Sequence, residues 1–182
     1  MKKIAICGTH GCGKTTLSFR LATQAKSLGI SAKVVQEVAR ESPFELNEGF
    51  TKDCAEWIFH RHCLYELNAK SEKVELLITD RSALDSLVYL RQKENNYDPD
   101  TLMRYAMEYM QTYDKVILVK PDVPLESDGV RSIDEEFQKD IDRRFSMYIN
   151  NAKIDALVVK SSSIFAGGVF INDEFDVWVQ DV

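Results

Sequence analysis

A chain of 182 residues that is 45% hydrophobic and 29% charged, with only four prolines, is long enough to bury one core without staples and too apolar to stay disordered. Lys and Arg number 23 against 29 Asp and Glu, a formal charge of -6, so no global basic field draws in nucleic acid, and only a local basic groove stays open. No apolar run approaches a signal-peptide core or a membrane span, which leaves a cytoplasmic protein with a single domain over residues 1–182 as the expectation.

Lys3-Ile4-Ala5-Ile6-Cys7 is short and mostly apolar, the pattern of a buried parallel strand. Immediately after it, Gly8-Thr9-His10-Gly11-Cys12-Gly13-Lys14-Thr15 fits the phosphate-loop pattern GxxxxGKS/T, and Leu17, Leu21, Ala25 and Leu28 then recur at helical spacing. Each residue type has a task. Glycines at 8, 11 and 13 admit backbone angles that let successive N–H groups turn inward around a phosphate chain, and the helix behind them points its positive end at the same anion. Lys14 reaches the β- and γ-phosphates, and Thr15 offers its hydroxyl to Mg²⁺. The nucleotide-contacting set is expected to run from Gly8 through Thr9, His10, Gly11, Cys12, Gly13, Lys14 and Thr15 to Thr16.

Gly29 follows the last periodic residue and caps the first helix. A β-branched strand at Lys33-Val34-Val35-Gln36 delivers Glu37 to its C-terminal end, with Arg40 close behind. A loop around Pro43, Asn47 and Gly49 leads into a helix over 52–69 that carries Trp57, Ile58, Leu64, Tyr65 and Leu67, its aromatics read as core and not as a base-stacking platform. Cys54, His60, His62 and Cys63 crowd this helix, but they match no zinc spacing and do not converge on one face, so core cysteines and surface histidines are expected. With Cys7 in a strand and Cys12 in the loop, all four cysteines should be reduced thiols.

The third strand, Val74 to Thr79, ends in Asp80-Arg81-Ser82. A carboxylate at a strand tip can hold Mg²⁺, while the adjacent arginine clamps a phosphate or substrate oxygen; the plainer reading has Asp80 capping the next helix and Arg81 in solvent. The upstream loop favours the first. Helices over 83–93 and 100–110 follow, separated by Asn95-Asn96 and Asp98-Pro99. A fourth strand, Lys115 to Val119, empties into an irregular excursion with Pro121, Pro124 and Gly129, ending at Arg131; Ser132 and Glu135 form a capping box that opens a helix to about residue 150. Residues 121–150 therefore read as a lid, with Arg131 as its phosphate-facing cation. Arg143 and Arg144 fit either a lid or simple pairing with Asp140 and Asp142. Asp155 to Val159 is a fifth strand, and Phe175 to Val179 would make one more.

On these residues, positions 1–160 resemble a P-loop kinase of the nucleoside and nucleotide kinase group. Gly8 to Thr15 resembles its phosphate loop, Asp80-Arg81-Ser82 the acidic-Arg-Ser signature of deoxynucleoside kinases, and Asp128-Gly129-Val130-Arg131 the lid of the ribosylnicotinamide kinase-like AAA ATPases common in bacteria and phages. The resemblance implies a three-layer α/β fold with a five-stranded parallel sheet in the order 2-3-1-4-5, ATP and Mg²⁺ at Lys14, Thr15 and Asp80, and an acceptor pocket bordered by residues 37 to 110. It places the general base on Glu37 and a hold on the acceptor or its phosphates on Arg81, although Val38-Ala39-Arg40 stands where deoxynucleoside kinases have a proline. The expected activity is transfer of the γ-phosphoryl of ATP to a hydroxyl on a nucleoside, a nucleotide or a ribosylnicotinamide-like molecule. The alternatives are a hydroxymethylated base in DNA as acceptor, or an ATPase or GTPase switch with no acceptor. The chain lacks the Asn-Lys-x-Asp guanine reader of a GTPase, and Arg81 stands where a motor ATPase has a water-activating glutamate.

Overall fold

The computed structural model describes residues 1–46, 49–93, 100–125 and 134–166. Among the described residues five strands are laid down, β1 (Lys2–Cys7), β2 (Ala32–Val35), β3 (Leu76–Asp80), β4 (Lys115–Lys120) and β5 (Ala156–Lys160), and the further strand expected at Phe175 to Val179 lies outside that set. Six helices accompany them: α1 (Lys14–Ser27), α2 (Lys52–Ser71), α3 (Asp85–Lys93), α4 (Asp100–Met110), α5 (Glu135–Asn151) and the single-turn α6 (Ser161–Phe165), with a 3-10 turn at Val38–Glu41. Every strand pairing is parallel and the order is β2-β3-β1-β4-β5, as expected.

Strand alternation sorts the core into two faces. Ile4 and Ile6 of β1, Ile117 and Val119 of β4, and Leu76 and Ile78 of β3 turn to α1, where Leu17, Leu21 and Ala25 meet them. Ala5 and Cys7, with Val116 and Leu118, face the opposite way, onto Phe59 of α2, Leu84 and Leu87 beside α3, and Ile141 and Phe145 of α5. This is the three-layer architecture. α1 ends where the sequence placed its stop: Gly29 sits at φ +84 while Ile30 N–H bonds the Ala25 carbonyl and Gly29 N–H that of Lys26, a Schellman closure.

The structure details α2 and changes two expectations. α2 does not bury Leu64 and Leu67, which are 44% and 59% exposed; its inner face is Cys54, Ala55, Phe59, His62, Cys63, Glu66 and Ala69, while Trp57 and Tyr65 are half-buried on a side cluster with Val35 and Leu77. His62 is therefore not a surface histidine, although His60 is. The N-cap of α5 is Asp134, whose carboxylate accepts from the N–H groups of Glu136 and Phe137 at 2.9 and 3.2 Å, where the sequence pointed to Ser132, which lies outside the described residues. All four cysteines are buried free thiols, and no helix among the described residues is long and apolar enough to cross a membrane.

Candidate active site

β1 lies between β3 and β4, so the chain departs from it to both sides, and the carboxyl ends of β1, β2 and β3 converge on the crevice where open parallel sheets hold ligands. The loop after β1 takes the predicted shape. Gly8, Gly11 and Gly13 have φ of +134, +71 and +89, conformations that would strain any other residue. At Gly8 even a methyl is shut out, because a Cβ would lie 2.5 Å from the Val119 carbonyl oxygen. Lys14 opens α1 and is 4% exposed; its ammonium donates to the Thr9 carbonyl inside the loop and lies 3.6 Å from Cys12 Sγ. The first turn of α1 carries no acid, so its N-terminal N–H groups keep their full attraction for an anion.

Asp80, at the tip of β3 and 2% exposed, accepts from the Thr15 hydroxyl at 2.6 Å. A hydroxyl and a carboxylate oxygen in contact across the loop are the hard-oxygen donors that Mg²⁺ takes alongside water and phosphate, so Thr15 and Asp80 fit the ion expected there. Asp80 does not cap the next helix. Ser82 and Asp85 do: the Asp85 carboxylate accepts from the Ser82 N–H at 2.8 Å and from its hydroxyl at 2.6 Å. Burial pushes the Asp85 carboxyl up from its ordinary value, against the pull of Arg81 and Lys14.

Arg81 is not in solvent. Its guanidinium donates to Glu37 Oε1 through both Nε, at 3.0 Å, and Nη2, reaches Asp85 at 3.4 Å and the Gly8 carbonyl at 3.5 Å, and stacks 5.8 Å from the Tyr89 ring. Although burial opposes it, these carboxylates, Glu37 foremost, hold the guanidinium charged and its pKa well above the ordinary arginine value. The backbone of Arg81 has φ +113, a strained conformation for a side-chain-bearing residue. Glu37 in turn meets exposed Arg40, with Arg40 Nε 3.1 Å from its Oε2.

Glu37, Arg40 and Arg81 border a cavity of about 110 Å³ whose walls include His10 of the loop, Phe50, Phe59, Tyr89 and Phe137. Its aromatic sides are contiguous: His10 stands 5.6 Å from Phe137 and 6.4 Å from Tyr89, and Phe50 stands 6.5 Å from Tyr89, centroid to centroid. This volume is well under the ~300 Å³ of an ordinary small-molecule site and about the size of a single planar ring. The structure brings Glu37, Asp80 and Arg81 to the loop, all residues that the sequence singled out, and adds Tyr89, Phe137 and Asp85, which it did not. Asp85 and Tyr89 follow Arg81 at intervals of four on α3, a spacing that could have shown them.

The described parts of the expected lid touch the loop: Gln138 of α5 donates to the His10 carbonyl at 2.9 Å, and Leu125 lies where a Gly11 side chain would go. Arg131 falls outside the described residues. Asp140 takes both Arg143 and Arg144, and Asp142 is occupied by Lys120 at 2.8 Å, so on this helix the plain pairing holds.

Solved structures share this fold. The deoxyadenosine kinase of M. mycoides with dCMP and a flexible dCDP bound superposes with a TM-score of 0.58 at 19% identity, over 98% of this chain and 97% of that one; with dATP bound the values are 0.54, 20%, 100% and 98%. A thymidylate kinase from Ehrlichia chaffeensis gives 0.58 at 15% identity, over 99% and 95%. No curated protein sequence matches. A family model described as an AAA domain matches residues 3–166, and the chain, built on the P-loop fold of the nucleoside and nucleotide kinases, belongs to that AAA-domain family.

Proposed function

We propose that the protein is an ATP-dependent phosphotransferase that moves the γ-phosphoryl of ATP to a hydroxyl on a small, ring-bearing acceptor of the nucleoside, nucleotide or ribosylnicotinamide type. One observation carries this reading: the Glu37–Arg81 pair stands between the phosphate loop and an aromatic-walled cavity that begins at His10 of that loop. A switch or a hydrolase has no use for a ring-sized aromatic pocket there. The names of the structural neighbours, a deoxyadenosine kinase and a thymidylate kinase, point the same way. Among the described lining residues the cations Arg40 and Arg81 are matched by Glu37 and Asp85, so the cavity offers no surplus positive charge to a DNA backbone, which favours a free small molecule.

In the reaction the acceptor oxygen attacks the γ-phosphorus, the bond to the β,γ-bridging oxygen breaks, ADP leaves, and the hydroxyl proton passes to Glu37. Arg81 holds Oε1 of Glu37, which leaves Oε2 to take the proton once exposed Arg40 swings aside. Lys14 and the loop amides hold the phosphates, and Arg131 is assigned the lid contact. Thr15 and Asp80 would hold Mg²⁺, which neutralises phosphate charge. Catalysis then consists mainly of positioning and fixed electrostatics. Incubation with γ-labelled ATP and a panel of nucleosides, monophosphates, ribosylnicotinamide and hydroxymethylated DNA is expected to label one small-molecule class, with the label lost in Lys14→Ala. ATP hydrolysis without a labelled acceptor would refute it.

A further inference from the structure

The phosphate loop is more than a cradle, because it also supplies a wall of the neighbouring cavity. His10, its third residue, is 4% exposed and lines that cavity. Its ring packs against Phe137 of α5 and Tyr89 of α3, 5.6 and 6.4 Å away between centroids. Its Nδ1 lies 3.4 Å from the Tyr89 hydroxyl and 3.3 Å from the hydroxyl of fully buried Thr9, and its carbonyl accepts from Gln138 of α5 at 2.9 Å. The Thr9 carbonyl in turn accepts from the Lys14 ammonium and, at 2.9 Å, from the Cys12 thiol. A single residue, Thr9, therefore stands between the cavity wall and the lysine assigned to the phosphates.

Thr9 and His10 are bracketed by Gly8 and Gly11, at φ +134 and +71. Glycine is where a chain pivots most freely, so the placing of this short turn depends on what Thr9 and His10 touch. The His10 ring is one of those contacts, and it borders the space a ligand would fill. A ligand ring held in the cavity confines the imidazole and takes freedom from the same turn that a triphosphate must order. A turn already ordered by one ligand costs the other less, and linkage makes the effect reciprocal.

Building on the phosphotransferase reading, we propose that His10 is a positioning residue: its imidazole takes up the ring of the acceptor and thereby sets the turn at residues 9–11 for the triphosphate, so that acceptor and nucleotide each tighten the binding of the other. Register between the two ligands then comes from the loop itself, which holds one by its backbone and the other by a side chain.

The test is calorimetry on the purified full chain with the β,γ-imido analogue of ATP and Mg²⁺, alone and with saturating adenosine, cytidine, thymidine, thymidine monophosphate or nicotinamide riboside. In the wild type at least one of these compounds is expected to tighten the analogue about fivefold or more. In His10→Ala that factor should fall to within about twofold. Phe50→Ala removes a cavity wall that lies outside the loop; it should weaken the same acceptor but keep the factor once the acceptor is saturating. A merely structural His10 would lower the melting temperature of His10→Ala and leave the factor unchanged. The wild type gives a reading that depends on no variant: the chain has three histidines, and in NMR with labelled histidine the ring resonance of His10 should move when the acceptor is added without nucleotide. No compound that changes affinity for the analogue, a factor kept in His10→Ala, a factor lost equally in Phe50→Ala, or a His10 resonance indifferent to the acceptor each overturns the proposal. Transfer of label to an acceptor without coupling sinks only the role of His10, whereas coupling without transfer sinks the phosphotransferase reading and leaves His10 as the link between two ligands.

Discussion

Replacing Gly8 by alanine tests how tightly the phosphate loop is built into the sheet. The new Cβ would stand 2.5 Å from the Val119 carbonyl oxygen and 3.4 Å from that residue's carbonyl carbon and nitrogen. Those atoms are backbone of β4, which is pinned between β1 and β5 and has no side-chain rotation with which to yield. The φ of +134 at Gly8 adds its own strain for alanine, about 1–3 kcal/mol, and relieving the overlap adds about 1–3 kcal/mol more. Together these give a loss of roughly 2–6 kcal/mol. Gly29 separates the two contributions, because its φ is +84 but nothing lies within 4 Å of the added methyl; Gly29→Ala should cost only the backbone share, about 1–2 kcal/mol. Urea denaturation of the wild type and both variants measures the difference, and for a domain of this size each kcal/mol should move the melting temperature by about 2–4 °C. If Gly8→Ala is no less stable than Gly29→Ala, the close approach of loop and β4 is not what fixes a glycine there.

The remaining predictions are shorter. The Glu66 carboxyl is held at about 2 against an ordinary 4.5; a depressed acid stabilises the fold above its unfolded pKa and loses that contribution as pH falls, so acid titration of stability should show a fall of about 3 kcal/mol between pH 4.5 and 2. In Glu66→Gln that slope should flatten. Glu37→Gln should lower kcat about 10²- to 10⁴-fold while KM for ATP changes far less; equal losses in both would make Glu37 structural. Asp134→Ala removes the acceptor of two N–H groups at the start of α5 and should cost about 1 kcal/mol in thermal unfolding.

Where sequence and structure agree, the signal was local. The strands are apolar runs ended by polar residues, the loop is one contiguous pattern, and Glu37 and Asp80 stand at strand tips where parallel topology sends ligand groups. Where they part, the deciding interaction is distant in the chain. Helical spacing marked α2 but not the face it turns inward, and that face carries His62 and Glu66, because Lys3, Tyr109 and Tyr113 supply the partners that make a buried carboxylate tolerable. No pattern within α2 records those partners. The cavity is hidden in the same way, since His10, Phe50, Phe59, Tyr89 and Phe137 come from five separate segments. At α5, Ser132 and Asp134 both have cap chemistry, and a pattern cannot choose between candidates two residues apart; the helix takes Asp134.

Arg81 explains why the phosphate loop and the cavity beside it stay in register. Its backbone, with φ +113, directs its own N–H onto the Ile6 carbonyl at 3.1 Å, so the residue that follows β3 is also hydrogen-bonded to the strand that launches the phosphate loop. From that fixed backbone the side chain binds Glu37 after β2, Asp85 at the start of α3, and the Gly8 carbonyl of the loop itself. A flexible ammonium could satisfy one of these at a time; the planar guanidinium addresses all of them, two N–H groups to one carboxylate oxygen among them. The strain at this residue therefore has a structural return: a relaxed backbone there would give up the bond to Ile6 and, with it, the common anchor that holds the loop, the carboxylate pair and the mouth of the cavity at fixed separation.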